Sequence, residues 1–591
     1  MVFKEIILIK VTLRISKNLR KGDNNEEKSV GITMAVFLLG IFMGAIDSGI
    51  VSPARDIIAD GLKVSQNASV WVVTIYTLAY AVSMPLMGKL SDKYGRKKVY
   101  MVSITLFGLG SLLCGVSDYV NSYTFLLFSR VIEAIGGGGI MPIATAYIGT
   151  SFPVEKRGSA LGMIGGVYGI ATVVGPTLGS GILSIFGDKN WGFLFLVNVP
   201  ISIIILLMAT KLEENTSAQG IKKLDVCGSG VLTILILSLM YGATNLKFYD
   251  FANSIKSLDV WPYLLIFIIS IPILVWVEKK AEDPVINLSY FTNKEIAITL
   301  ILSFVVGCGL MATVFIPQFS ENILRTPMGS GGYIVTIFAI FVGIAAPLGG
   351  KFIDKIGVKK VLLIGMSLVI IGNLYQGYVT TKHPGMVNLI IGLAIMGFGL
   401  GFSMGTPINY LMLSLVPDNE ATVGQSAVSL IKSIGIAVSP NILINFISDA
   451  GRRVPEALQK VMPHVDGMSN IMSNSGGASN VSNSMGNASV TNIFSLIKGM
   501  AQSQFAALGD KFANNPHMNI DMIEKSYMQS LDGAKDAIET AFQQTMNTGY
   551  TKLFLTCAII ALIGLILTAM LNNNLITMKN RRLEKKEKTN W

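Results

Sequence analysis

The sequence predicts an all-α polytopic membrane protein of two six-helix pseudo-symmetric bundles plus two inserted spans, or about fourteen transmembrane helices. Of the 591 residues, 51% are hydrophobic and only 14% are charged, and the mean hydropathy is +0.57. A soluble chain of this length is far less apolar. Apolar runs long enough to cross about 30 Å of hydrocarbon follow one another. One charged turn between such runs occurs twice.

The repeated turn marks each half of the chain. Gly88–Lys98 and Gly350–Lys360 share the order Gly-Lys-x-x-Asp-Lys-x-Gly-x-Lys-Lys. Glycines let two helix ends approach closely, and Lys and Arg keep a short loop on the cytoplasmic side. The Asp at the end of each span can accept hydrogen bonds from the N-terminus of a neighbouring helix or pair with a cation. Such contacts would form in one arrangement of the halves and break in another. A purely topogenic loop is the alternative, which the repeat disfavours.

This turn resembles the signature loop of the major facilitator superfamily, Gly-x-x-x-Asp-[Arg/Lys]-x-Gly-[Arg]-[Arg/Lys]. The first copy matches throughout, whereas the second has Val358 where the family often has Arg. We therefore expect the second copy to lock less securely. The conformational lock that the resemblance implies consists of Gly88, Asp92, Gly95, Arg96 and Asp354.

The apolar runs divide the chain into seven segments. Because basic residues stay inside, both termini are expected in the cytoplasm, and the resemblance implies a bacterial-type plasma membrane. The predicted segments are a cytoplasmic tail (1–30), a six-span bundle (31–212), two inserted spans with linkers (213–290), the first five spans of the second bundle (291–449), an extracellular loop (450–547), the last span (548–575) and a basic cytoplasmic tail (576–591).

Residues 450–547 are the one long connection. Their centre, 468–489, is rich in Ser, Asn, Gly and Met, which is typical of flexible segments. On either side, apolar residues recur at spacings of three and four, which predicts amphipathic helices. These residues are Ile493, Phe494, Ile497, Met500, Ala501 and Phe505, and then Ile523, Tyr527, Ala534, Ile538, Ala541 and Phe542. A lid over the outer mouth and a simple tether are equally open.

Asp47 is an acid inside the first apolar run. A charged side chain at membrane depth costs roughly 2.5–3.5 kcal/mol on insertion scales, so Asp47 should face the bundle interior. Removal from water favours the protonated form of a carboxyl group, which makes Asp47 a candidate proton carrier. A structural ion pair is the alternative. The stretch resembles the first-span motif of fourteen-span drug:proton antiporters, Leu-Asp-x-Thr-Ile-Val-Asn-x-Ala-Leu-Pro, and matches it at Asp47, Ile50, Val51 and Ala54.

Arg130 and Glu133 lie three residues apart and share one face of the fourth run. A buried Arg stays charged and requires a partner. The pair resembles the family motif Arg-x-x-Gln-Gly-x-Gly, whose Arg is thought to help a nearby acid release its proton. Glu133 replaces the Gln, and it could either titrate or only neutralise Arg130. The resemblance thus implies proton coupling by Asp47, Arg130 and Glu133.

The fifth run contains a glycine motif, Gly-x-x-x-Gly-x-x-x-x-x-Gly-Pro-x-x-Gly. It closely resembles the antiporter motif, which exporters of this superfamily carry more often than importers. Small residues let helices touch and proline kinks a span, so packing alone is the alternative. The motif residues are Gly165, Gly169, Gly175, Pro176 and Gly179.

The later runs add the remaining candidates. Pro317–Glu321 is similar to a Pro-x-Tyr-x-Gln stretch of the family, with Glu321 in place of Gln, and Lys432 stands where the family tends to have Arg. Acidic groups in the membrane would attract cationic substrates. The substrate-cavity candidates are Asp47, Glu133, Glu321 and Asn409.

These features predict a proton-coupled secondary transporter that exports drugs or other lipophilic compounds, cationic ones included, by alternating access. The alternatives are a proton-coupled exporter of one specific solute or lipid and a non-transporting membrane sensor. The expected partners are small-molecule substrates, protons and the lipid bilayer, with a monomeric chain.

Other functions lack a signal. The sequence has no P-loop motif, its four cysteines are isolated, and its three histidines lie in polar connections. We therefore expect neither enzyme activity nor a cofactor nor a metal site. The net charge of +11 comes from short basic clusters beside apolar runs, where membrane topology explains them, so a nucleic-acid partner is not expected.

Overall fold

The computed structural model describes residues 26–51, 54–214, 225–326, 331–463, 490–512 and 520–572. Every regular element within those ranges is a helix. Eleven helices are long and apolar enough to cross a membrane, and a twelfth is added if the bent helix over 156–186 is one span. Two shorter apolar helices, Gly31–Asp47 and Phe193–Ala209, occupy the predicted first and sixth spans. The all-α polytopic class is confirmed, and the count of fourteen stays a prediction.

The long helices follow the predicted order. The first bundle contains α1 (Glu26–Ile50), α2 (Gln66–Tyr94), α3 (Arg96–Val120), α4 (Tyr123–Ser151), α5 (Val154–Phe186) and α6 (Asn198–Ala209). The inserted pair is α7 (Val226–Asn245) and α8 (Trp261–Lys280). The second bundle begins with α9 (Lys294–Met311), α10 (Gly331–Ile356), α11 (Val358–Tyr375), α12 (Met386–Met404) and α13 (Ala421–Gln459). It continues with α14 (Val490–Phe512), α15 (Ile520–Gly533) and α16 (Lys535–Met570).

The most extensive contacts between the two bundles are those of α5 with α10 and of α2 with α13, and α4 also packs on α13. The signature turns join α2 to α3 and α10 to α11. Arg96 of the first turn bonds to Thr150 at the end of α4, and Asp354 of the second lies beside Gly158 at the start of α5. Both turns therefore flank the α4–α5 connection and lie on one face of the molecule, called the turn face below. The sequence predicts that this face is cytoplasmic.

The inserted helices α7 and α8 pack on each other and lie beside the junction of the two bundles. Leu232, Ile236 and Met240 of α7 share a buried apolar cluster with Met84 of α2 and Leu430 of α13. The insertion therefore contacts both bundles without separating them.

The helices outside the predicted spans differ from the prediction in their bounds. The second amphipathic pattern is split, because α15 ends at Gly533 and α16 starts at Lys535 and runs on through the last span. Helix α13 extends to Gln459, beyond the predicted limit of 449. Apolar faces that continue past the lipid still find partners, so the helices need not end at the membrane. The centre of the connection, 468–489, lies outside the described residues.

The outer helices, which are α14, α15 and the first turns of α16, pack on the second bundle. The predicted apolar faces are largely buried, and the Phe505 and Tyr527 rings lie 5.5 Å apart. Glu539 of α16 pairs with Arg325 at 3.1 Å, and Asn547 donates to the Thr381 carbonyl at 3.0 Å. These contacts attach the outer helices to the second bundle. The lid and the tether both stay predictions.

Candidate functional site

Asp47, Arg130 and Glu133 meet inside the first bundle. Arg130 Nη1 lies 3.0 Å from Asp47 Oδ2 and 2.5 Å from Glu133 Oε2. All three side chains are at most 1% exposed. One guanidinium therefore serves two carboxylates in a place that bulk water does not reach. With both acids ionised, the cluster carries one uncompensated negative charge, which is costly in a buried site.

Small polar side chains from two further helices complete the cluster. Asn198 at the start of α6 donates to Asp47 Oδ1 at 3.1 Å. Ser111 of α3 donates to Glu133 Oε1, and Cys114 Sγ lies 3.5 Å from Glu133 Oε2. Each carboxylate thus has partners besides the arginine. These contacts fix the orientation of each carboxylate. A change in its protonation therefore alters hydrogen bonds to several helices.

The guanidinium itself lies between aromatic rings. Arg130 Cζ is 4.0 Å from the Tyr76 ring centroid and 5.3 Å from that of Phe195. Arg130 Nε also donates to the Val72 carbonyl at 3.4 Å. Cation–π contacts are strongest where water is excluded. The arginine is therefore held on α4 independently of either acid.

Asp92 of the first turn joins the two halves. Its Oδ2 accepts hydrogen bonds from the backbone N–H groups of Thr422 at 2.9 Å and Val423 at 3.0 Å, in the first turn of α13. Its Oδ1 accepts from Arg96 Nη2 at 3.1 Å. A carboxylate of one half therefore satisfies free donors at a helix N-terminus of the other half. The predicted contact is present, and its role as a conformational lock stays a prediction.

Arg96 extends this contact. It donates to Thr150 Oγ1 at 2.6 Å, to Thr422 Oγ1 at 3.1 Å and to the Asp418 carbonyl at 2.6 Å. A Cβ atom at Gly88 would overlap Ser426 Oγ of α13, so α2 and α13 touch there. The first signature turn therefore joins the two halves at the turn face through charged contacts and through close packing.

The connection that follows the inserted helices is tied to the same region. Tyr290 Oη donates to Glu420 Oε2 at 2.8 Å, and Asn287 Nδ2 donates to the same oxygen at 3.3 Å. Burial, with a further contribution from the negative Glu420, raises the pKa of Tyr290, so the hydroxyl stays protonated and keeps donating. Lys89 forms an ion pair with Asp283 nearby. The insertion thus helps to fix the segment that precedes α13.

The second signature turn is built differently. Asp354 is exposed, and a Cβ atom at Gly350 would overlap the Gly158 carbonyl of α5. Val358, in place of the arginine, is buried and packs in the apolar core. Gly357 keeps the positive φ of Gly95, at +88° and +111° respectively. The backbone of the turn is therefore repeated, while the buried charge network is found at the first copy.

The glycine motif of α5 contacts two neighbours. A Cβ atom at Gly165 would lie 3.2 Å from Gly405 Cα, and one at Gly169 would lie 2.9 Å from Val342 Cγ1, both in the second bundle. A Cβ at Gly175 would lie 2.9 Å from the Ile46 carbonyl of α1. The motif therefore sets both the junction of the halves and the packing of α5 beside the residue next to Asp47. Pro176 lies inside α5 and is exposed, and Gly179 is buried.

The other cavity candidates lie in the second bundle. Glu321 is half-buried on the short helix Ile316–Ile323, next to Asn322, which donates to Tyr550 Oη at 3.1 Å. Asn409 is buried on Thr406–Leu415, and its carbonyl accepts from Gln425 at 2.9 Å. The structure thus brings Asp47 and Glu133 together in one bundle and puts Glu321 and Asn409 on two helices of the other. A shared substrate cavity stays a prediction.

Asp47, Arg130, Glu133 and the side chains that contact them are called the acidic cluster below. Sequence reasoning missed several of its members. Ser111, Cys114 and Tyr76 are single polar or aromatic residues in apolar runs, where nothing in their spacing distinguishes them from packing residues. Asn198 is a polar amide within an otherwise apolar run, which was a usable signal. Among the described residues, no group of three or more His, Cys, Asp or Glu side chains is arranged to hold a metal ion.

Comparison with known proteins agrees with this architecture. The family profile of the Major Facilitator Superfamily matches residues 37–440. An uncharacterized transporter of the same type from Bacillus subtilis (strain 168), YfiU, is 32% identical over 91% of this chain and 96% of its own length. Multidrug resistance protein 3 of the same organism is 33% identical over 72% and 82%, and the riboflavin transporter RibZ of Clostridioides difficile (strain 630) is 28% identical over 72% and 89%. The chain therefore belongs to the Major Facilitator Superfamily of membrane transporters.

Proposed function

We propose that this protein is a proton-coupled secondary transporter that exports drugs or other lipophilic compounds across the plasma membrane by alternating access. The observation that carries the proposal is the buried cluster in which Asp47 and Glu133 share the single cation of Arg130. Binding of one proton makes this cluster neutral, and loss of the proton leaves a buried negative charge. Proton binding therefore changes the energy of keeping the site closed to water.

The contacts at the turn face supply the second element of the cycle. Asp92 and Arg96 join the first half to the start of α13, and these contacts must break before the turn face can open. With the turn face on the cytoplasmic side, a molecule with these contacts formed is closed to the cytoplasm. A transporter that rocks its two halves about a central site needs two such alternative closures.

Relatives support drugs or lipophilic compounds as substrates. Multidrug resistance protein 3 of Bacillus subtilis covers most of the chain at 33% identity, and the multidrug transporter MdtP of the same organism is 29% identical over 67% of it. The alternative, export of one specific solute or lipid, is supported by the riboflavin transporter of Clostridioides difficile and by a triacylglyceride transporter of Mycolicibacterium hassiacum, each at 28% identity.

Energised inverted membrane vesicles test this proposal. A panel of fluorescent lipophilic compounds should accumulate in vesicles that contain the protein when a proton gradient is imposed, and collapse of the gradient should release them. Asp47→Asn should abolish gradient-driven accumulation while the protein stays in the membrane and folded. Normal gradient-driven accumulation by Asp47→Asn would exclude Asp47 as the coupling acid. No accumulation of any compound by the parent would favour a sensor.

A further inference from the structure

Lys432 is a buried cation at the junction of the two halves. It lies on α13 of the second bundle and is 6% exposed. Its Nζ atom points to the first bundle, 4.6 Å from the Tyr168 ring centroid and 3.9 Å from Met141 Sδ. Within the described part of the chain, no carboxylate forms an ion pair with it. A thioether is a weak acceptor, so the ammonium group lacks the anionic partner that a buried charge normally has.

The backbone around Lys432 is held firmly. A Cβ atom at Gly307 of α9 would overlap the Lys432 carbonyl, and one at Gly435 would lie 2.5 Å from the Phe304 carbonyl. Helices α9 and α13 are therefore in direct contact on both sides of this residue. The lysine side chain thus projects from a rigid element of one half towards the other half.

Its depth matches that of a transport site. Lys432 lies eleven residues after the first residue of α13, which puts it about 16 Å along the helix from the turn face. Met141 lies ten residues before the end of α4, about 15 Å from the same face. Because the hydrocarbon core is about 30 Å thick, both residues lie near its middle. Substrate sites of secondary transporters lie near the midplane, between the halves.

Aromatic rings continue from this point towards the acidic cluster. The Tyr76 and Tyr80 rings are stacked with centroids 5.8 Å apart, and both pack against Gly137. Tyr76 in turn lies against Arg130. Gly137 lies one turn of α4 from Met141, the neighbour of Lys432, so these rings extend from that turn to the guanidinium of Arg130.

We propose that Lys432, with the facing ring of Tyr168 and the Tyr80 ring that packs against Gly137, forms the substrate contact at the midplane, and that it selects aromatic compounds carrying an anionic group. The inference rests on the proposed export function and names its substrate class. The sequence predicts a preference for cationic substrates from Asp47 and Glu133. An anionic preference is proposed instead because both acids already bind Arg130. A ligand anion would supply the missing partner of Lys432 when the halves separate, and its ring would stack on the tyrosines.

The test uses two dyes with the same xanthene ring system and opposite charge, fluorescein and rhodamine 123. Fluorescence polarisation measures their binding to the purified protein in nanodiscs without a proton gradient. The parent should bind fluorescein more tightly than rhodamine 123. Lys432→Met should weaken fluorescein binding about tenfold or more, the usual effect of losing a charge-assisted contact. Rhodamine 123 binding should change less than about twofold.

Two variants separate charge from fold. Lys432→Arg should keep most of the fluorescein affinity, and Lys552→Met, which removes a half-exposed lysine of α16, should leave both affinities unchanged. Equal weakening of both dyes by Lys432→Met, or a parent that prefers rhodamine 123, would overturn the inference. Because binding is measured without a gradient, Lys432-dependent binding combined with no gradient-driven transport would reject the proposed export function and leave this inference standing.

Discussion

The two signature turns have nearly the same sequence but make different contacts. In both, a glycine with positive φ is followed by a lysine that donates to the last carbonyls of its own bundle. Lys97 reaches Thr210 at 2.8 Å and Leu212 at 2.5 Å, and Lys359 reaches Ala569 at 2.8 Å and Leu571 at 2.6 Å. The part of the motif that builds each bundle is therefore duplicated faithfully.

The contacts that join the bundles differ between the two copies. The Asp92 side chain is 6% exposed and bonds to the start of α13, whereas Asp354 of α10 is exposed and lies beside Gly158 at the start of α5. Arg96 bonds to three segments, and Val358 takes its place as an apolar packing residue. Duplication thus preserves the local fold, while the contacts between halves diverge. The first turn should therefore control closure more strongly than the second.

The largest expected difference is between the effects of Asp92→Asn and Asp354→Asn on opening of the turn face. Leu413 is buried against Gly149 of the other half, so Leu413→Cys, in a chain whose exposed Cys227 is changed to Ser, reports opening of the turn face. Asp92→Asn should raise its rate of labelling by a membrane-impermeant thiol reagent about tenfold, because a charge-assisted contact across the halves is lost. Asp354→Asn should raise it less than about threefold. Equal effects would show that the two turns lock alike.

For the glycines Gly88 and Gly350, the substitution in the second turn should have the larger effect. A Cβ at Gly350 would overlap the Gly158 backbone carbonyl, which cannot move away. The atom nearest to a Cβ at Gly88 is the Ser426 hydroxyl, which can rotate, with Ser426 Cβ at 2.9 Å and the Thr422 carbonyl at 3.1 Å. On the same reporter, Gly350→Ala should increase labelling about fivefold and Gly88→Ala about twofold, since overpacking costs about 1–3 kcal/mol. A larger effect of Gly88→Ala would place the tighter packing at the first turn. Gly181→Ala, where a Cβ meets open space, is the matched control.

Val358→Arg asks whether one residue restores the second lock. Val358 is 2% exposed, so an arginine there buries a charge in an apolar cluster. We expect the apparent melting temperature to fall by about 5 °C with no slowing of labelling at the Leu413 cysteine. Slower labelling with unchanged stability would show instead that the second turn retains the partners of a lock.

The smallest effects belong to the lysines. Lys97→Met and Lys359→Met each remove a cation from the C-terminal carbonyls of a helix, a contribution of about 0.3–1 kcal/mol. The two variants should lower the apparent melting temperature by small and equal amounts, with the exposed Lys98 changed to Met as the control. A marked difference between them would contradict the duplicated scaffold.

Sequence reasoning predicted the parts of the site that contain charged residues within apolar runs. An acid and an arginine in apolar runs must find each other, so the pairing of Asp47 with Arg130 could be predicted. The Asp92 contact was likewise implied by a carboxylate at a helix end. Ser111 and Cys114 could not be found, because single small polar residues occur throughout apolar helices. The start of α16 at Lys535 was missed because hydropathy reports lipid contact, while the helix continues into a packed outer unit.

The central claim is that Asp47 and Glu133 exchange a proton with substrate binding, and proton release measures this most directly. Purified protein in weakly buffered solution with a soluble pH indicator is mixed with a compound identified in the vesicle screen. Two carboxylates beside one guanidinium are neutral only when one proton is bound, so we predict that substrate binding releases about one proton per parent protein. In Asp47→Asn the remaining carboxylate and the guanidinium are neutral without a proton, so none should be released at equal substrate occupancy. Equal release by parent and Asp47→Asn, or tight binding to the parent with no release, would contradict the account.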